Sequence, residues 1–171
     1  MPSQMNTASS EAVENQAECA VAKLNDHASI SAWREAHDSS YKRHLKSLRR
    51  RTKKIESEHG PRSFIWQSQD PDHFETLIRW KRDKFKTTKK YDVLSVDWTL
   101  TLLRELWKNG RAAPLRCDLQ VMMVNDKPVA MDLGLSDGVT FHSWIVGYDS
   151  NFHSYSPVSY THLTLPTIRL V

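Results

Sequence analysis

The sequence predicts an α+β fold, with helices first and an antiparallel strand meander after them. Three observations predict it. Helical stripes dominate from Tyr41 to Trp107, and period-two runs dominate from Asp118 to Tyr148. The two kinds of segment do not alternate as they would in βαβ units. The 171 residues suffice for one domain with a core of its own.

Residues 1–38 form a polar segment. Met1 to Asp38 holds six acids and two bases and few large apolar residues, which favours partial disorder or a short acidic helix at Ser10 to Lys23. Ile30 and Trp33 suggest one helical turn, and Ser39-Ser40 offers a fresh N-cap after it. Tyr41, Leu45, Leu48, Thr52 and Ile55 then share one helical face, which Gly60-Pro61 terminates. The other faces carry Lys42, Arg43, His44, Lys46, Arg49, Arg50, Arg51, Lys53 and Lys54. Such a surface suits an anionic ligand or nucleic acid, or is simply solvated. No aromatic residues interleave with the bases, so a solvated face is the plainer expectation.

Arg62 to Gln67 reads as a short strand. Asp70-Pro71 is an N-cap followed by proline at the first helical position, and the helix runs from Asp72 to about Lys86. Phe74, Leu77, Ile78, Lys81 and Phe85 lie on one face of it. Lys81 inside that stripe is either a snorkelling lysine or a cation reaching a ligand. Val96 to Trp107 is a further amphipathic helix, closed by Asn109-Gly110. The meander follows. Leu119, Val121 and Met123 alternate along its first strand, and Val129, Met131, Leu133 and Leu135 along its second. Asn125 to Pro128 joins these two, and Asp137-Gly138 is a hairpin signal before the third strand, Val139 to Tyr148.

Cys19 and Cys117 lie far apart with no metal spacing, which predicts reduced thiols. No apolar run is long enough to span a bilayer, and the first residues lack a signal-peptide core, so the cytoplasm is the default location. Nucleotide-binding glycine loops, nucleophile elbows and zinc-protease motifs are not found. His142, Asp149 and His153 are close in sequence but match no metal template, and no metal site is predicted. Asp149 could be a general base or could open the turn Asp149-Ser150-Asn151.

Four features in order resemble the GNAT-superfamily acyltransferases of the CelD/BcsL type, also described as BioF-like acetyltransferase domains. They are the basic helix ending in His59-Gly60, the segment Ile78-Arg79-Trp80-Lys81-Arg82, the meander with Lys127-Pro128-Val129-Ala130, and the run from Trp144 to Asp149 followed by Phe152 and Tyr155-Ser156-Pro157. The resemblance covers roughly Ser39 to Pro157. It implies a partial GNAT-like domain over residues 39–157 that uses acyl-CoA, acetyl-CoA above all, as co-substrate for an unidentified small-molecule or sugar-amine acceptor. It also implies that an acceptor amine attacks the thioester directly.

By the same resemblance, Phe141 to Gly147 is the strand along the pantetheine arm, with a bulge that Gly147 could allow. Trp144, Ile145, Val146, Gly147 and Ser156 become the cofactor-binding candidates. Asp149 and Tyr155 become the catalytic candidates. The loop to Pro157 would lead to a helix whose N-terminus holds the CoA pyrophosphate.

After Pro157 the chain departs from the family. Residues 158–171 resemble an in-frame translation of a sequencing-library transposon end and adapter, so an artefactual tail is expected. Together with the lack of a preceding domain, this makes the chain resemble an inactive internal fragment of a larger enzyme. A basic-helix nucleic-acid-binding or partner-docking module is the alternative.

Overall fold

The structure, a computed structural model, describes residues 30–110, 115–137 and 141–158. The elements are α1 (Ile30–His59), β1 (Arg62–Ile65), α2 (Pro71–Thr87), α3 (Asp97–Asn109), β2 (Arg116–Val124), β3 (Lys127–Ser136) and β4 (Phe141–Tyr148). Short 3-10 helices lie at Val93–Ser95 and Ser150–Tyr155. The four strands form one antiparallel sheet in the order β1-β2-β3-β4. The α+β class and the three-stranded meander are therefore as the patterning predicts. The hairpin signal at Asp137-Gly138 and the polar stretch 1–29 lie partly or wholly outside the described residues.

Helices cover both faces of the sheet. On one face Phe74, Leu77 and Ile78 of α2 and Leu103 and Trp107 of α3 pack on Leu119, Val121, Met131 and Leu133. Phe74 stacks on Trp107 with ring centroids 4.9 Å apart. On the other face Ile55 of α1 packs with Met122, Val124, Val129 and Ala130, beneath Tyr148, Phe152 and Tyr155. Covering both faces explains why β2 and β3 are buried along nearly their whole length rather than at alternate residues. It also explains the buried Gln120 and Asp132, which strict alternation would have turned to water. Asp132 accepts a 2.7 Å bond from the Ser143 hydroxyl.

Two boundaries differ from the sequence reading. Ser39-Ser40 is no cap, because α1 is continuous from Ile30 through it; helical residues on either side outweigh the local preference of serine. The first strand ends at Ile65 rather than Gln67, whereas α3 begins at Asp97, one residue from the predicted Val96, after a separate 3-10 turn at Val93–Ser95 that the Asp92 carboxylate caps through Leu94 N–H. Three other signals hold. Gly60 takes φ 101° at the end of α1, and Asn125 and Asp126 take φ 49° and 59° in the β2–β3 hairpin, as a type I′ turn requires. Asp70 caps α2 by accepting from Asp72 N–H at 2.9 Å, with Pro71 next. Asp70→Ala is expected to destabilise the fold by about 1 kcal/mol, read from a urea denaturation midpoint.

Candidate active site at the open edge of the sheet

The sheet closes on β4, which has a strand neighbour only in β3 among the described residues. Two features make that edge distinctive. The first is a bulge: Leu133 pairs with Ile145 and Gly134 with Ser143, leaving Trp144 as the extra residue. The bulge thus lies at Trp144 and not at Gly147. Gly147 has a different purpose. A Cβ there would meet Leu77 Cδ1 at 2.7 Å, so the bare backbone lets α2 lie close against β4.

The second feature is backbone direction. Asp149 N–H donates to Val129 C=O at 2.9 Å. Hydrogen-bonded and non-bonded pairs alternate along an antiparallel ladder. Gly147 and Ile145 therefore bond to β3, whereas Val146 and Tyr148 turn their N–H and C=O groups to the outer edge. A side chain confirms the direction: Lys81 Nζ of α2 donates to the Val146 carbonyl at 3.5 Å.

Beyond Tyr148 the chain turns through the 3-10 helix Ser150–Tyr155 and packs against the end of α1. Asp149 caps that turn, accepting from Asn151 N–H at 2.9 Å. Tyr155 hydroxyl donates to the Glu58 carboxylate, and His59 Nε2 lies 2.9 Å from the same hydroxyl. The Glu58 bond raises the Tyr155 pKa above the usual phenol value, with smaller contributions from burial and from the Glu58 charge. Lys54 Nζ sits 5.7 Å from the Tyr155 ring centroid. Tyr148 hydroxyl and His153 Nδ1 are 3.0 Å apart. Ser156, in the left-handed region at φ 52°, accepts a 2.5 Å bond from Arg51. A helix begins directly after it, at Pro157 and Val158.

The candidates named from the sequence thus occupy one continuous strip. Trp144 is in the bulge, 43% exposed, with its indole N–H donating to His142 Nδ1 at 3.0 Å. Ile145 packs on the α2–α3 core. Val146 faces the edge through its backbone, and Gly147 is buried under α2. Asp149, Tyr155 and Ser156 follow on the turn. His142, Asp149 and His153 are each engaged with a different partner. Glu58, His59 and Arg51 were not singled out as site residues. Their partners are 97, 96 and 105 residues away in the chain, so no local spacing signals them. Arg51 stood among the solvated bases of α1 in the sequence, yet it is half-buried while Arg49, Arg50, Lys53 and Lys54 are exposed.

A helix-covered antiparallel sheet with a bulged edge strand, unpaired on its outer side among the described residues, belongs to the class of domains that can lay an extended ligand along a strand. The family is narrower: residues 42–165 match the acetyltransferase (GNAT) domain, and the chain belongs to that family. No curated protein and no solved structure matches it. The family points to acyl transfer with an acyl-CoA co-substrate and does not favour the nucleic-acid-binding or partner-docking alternative. No helix among the described residues is long and apolar enough to cross a membrane.

Proposed function

We propose that this chain binds an acyl-CoA along the outer edge of β4, as part of an enzyme that passes the acyl group to an amine. The observation that supports it best is the outward-turned backbone of Val146 and Tyr148 beside the Trp144 bulge, in a chain of this family. A pantetheine arm is extended and carries amides. It can pair with those N–H and C=O groups as an added strand would. Val146 and Tyr148 then serve the ligand through their backbone with Trp144 in the bulge beside them, while Ile145 and Gly147, bonded to β3, hold the strand in place. Ser156 and Arg51 stand at the phosphate end, where a guanidinium can form charge-assisted bonds.

The acyl group would pass to nitrogen when the neutral amine attacks the thioester carbonyl and CoA leaves as thiolate. Tyr155, kept protonated by its bond to Glu58, suits the donation of a proton rather than its removal. Asp149 would have to release Asn151 N–H to act as a base. Within the family we favour the CelD/BcsL, BioF-like type, acting on a small-molecule or sugar amine in the cytoplasm.

Because the sequence leads one to expect an inactive chain, binding is the first test. Calorimetric titration should detect acetyl-CoA. Arg51→Met should weaken acetyl-CoA by about tenfold, the cost of one charge-assisted bond, and leave S-acetyl-pantetheine unchanged, because that ligand lacks the adenosine phosphates. No heat and no fluorescence change with acetyl-CoA at millimolar concentration would defeat the reading.

A further inference from the structure

Lys81 is the side chain that the proposed reaction leaves without a task. It lies one turn beyond Leu77 on α2, where the contact with Gly147 brings the helix against β4. Its Nζ therefore reaches the outer edge of the sheet, 3.5 Å from the Val146 carbonyl and two residues from the bulge. That bond is at the long limit for a hydrogen bond, so the nitrogen is loosely held. Lys54 and Lys86 lie within 4 Å of Glu58 and Asp83. For Lys81 no ion pair of that kind is found among the described residues. The ring of Phe85 lies 5.6 Å away.

We propose that Lys81 is a site of self-acylation, taking the acyl group from an acyl-CoA lying along β4. The inference rests on the acyl-CoA reading of that edge and adds the acceptor nearest to it. Burial lowers the Lys81 pKa, the Lys90 charge adds to the effect, and the Asp132 charge opposes it. A larger share of the nitrogen is therefore the neutral amine that attacks carbonyls. In the step, the Lys81 nitrogen lone pair forms a C–N bond to the thioester carbonyl carbon. The C–S bond breaks, and CoA departs as thiolate, taking up the proton that nitrogen loses. The products are Nε-acyl-Lys81 and free CoA. The amide so formed has no charge and occupies the edge at Val146. Acylation should therefore weaken the next binding event, which makes the modification self-limiting.

The test compares every lysine in the full chain by peptide mass spectrometry after incubation with isotope-labelled acetyl-CoA, and again with acetyl phosphate, which has no pantetheine arm. Acetyl-CoA binding is titrated in parallel. Lys81 should gain the label at least about tenfold faster than exposed Lys53 and Lys84 with acetyl-CoA, an advantage of proximity. Excess CoA should suppress that preference, and acetyl phosphate should not reproduce it. If acetyl-CoA binds but Lys81 labels no faster than the exposed lysines, the self-acylation proposal is wrong and the edge site stands. A preference for Lys81 with acetyl phosphate also overturns it, because the reactivity would then owe nothing to a ligand on β4. If acetyl-CoA does not bind at all, the edge site fails and the proposal falls with it.

Discussion

Gly134→Ala is expected to destabilise the fold by about 3 kcal/mol, near the upper end for overpacking a core. A Cβ at Gly134 would overlap the His142 carbonyl oxygen and come within 2.5 Å of Phe141 Cζ. The ring can swing away, but the carbonyl belongs to the β4 backbone and cannot move without dragging the strand. Because the clash falls on the stretch that leads into the Trp144 bulge, the loss should extend to binding at the edge. Gly147→Ala is the comparison. Its Cβ would meet only the end of the Leu77 side chain, at 2.7 Å, which can rotate. A smaller loss is expected there, and urea midpoints of both variants decide the matter. Equal midpoints for Gly134→Ala and the parent would mean that β3 and β4 are not packed this closely.

Proline at Val146 should separate ligand binding from folding. Val146 N–H points away from β3, so its removal costs no ladder bond, and edge strands accept proline in that orientation. The proline ring would nevertheless remove the donor and fill the lane beside β4. Val146→Pro is expected to lose acetyl-CoA affinity by about tenfold or more, against a stability loss of about 1 kcal/mol. Ile145→Pro, one residue earlier, removes an N–H that bonds to Leu133 and should cost about 3 kcal/mol. Isothermal titration and thermal melting on the two variants measure both quantities. If Val146→Pro binds acetyl-CoA as well as the parent does, the arm does not run along this edge.

Much of the local structure is legible in the sequence. The caps at Asp70 and Gly60, the hairpin at Asn125-Asp126 and the stripes of α2 and α3 are short-range effects. A carboxylate two residues from a free N–H, or a residue at positive φ, works the same way in any fold. The candidates from Trp144 to Ser156 lie on one strip because they are continuous in the chain.

What the chain order could not reveal depends on faces and partners. The bulge sits at Trp144 because β3 and β4 change register there, and register is a property of two strands rather than one. Gly147 reads in the sequence as a residue that could allow a bulge, whereas the approach of Leu77 makes it a packing contact. Arg51 was one base among many until the turn at Ser156 came down on it. Lys81 reads in the sequence as a snorkelling chain or a ligand contact, and its reach to the Val146 carbonyl depends on how α2 is set against β4.

The sequence by itself determined an α+β domain of this family, its helix ends and its hairpin, because periodicity and capping act over a few residues. Only the tertiary structure decided which backbone groups of β4 face outward and which side chains of α1 and α2 meet them. Those contacts join residues that the chain keeps far apart, and burial on both faces of the sheet fixes their geometry.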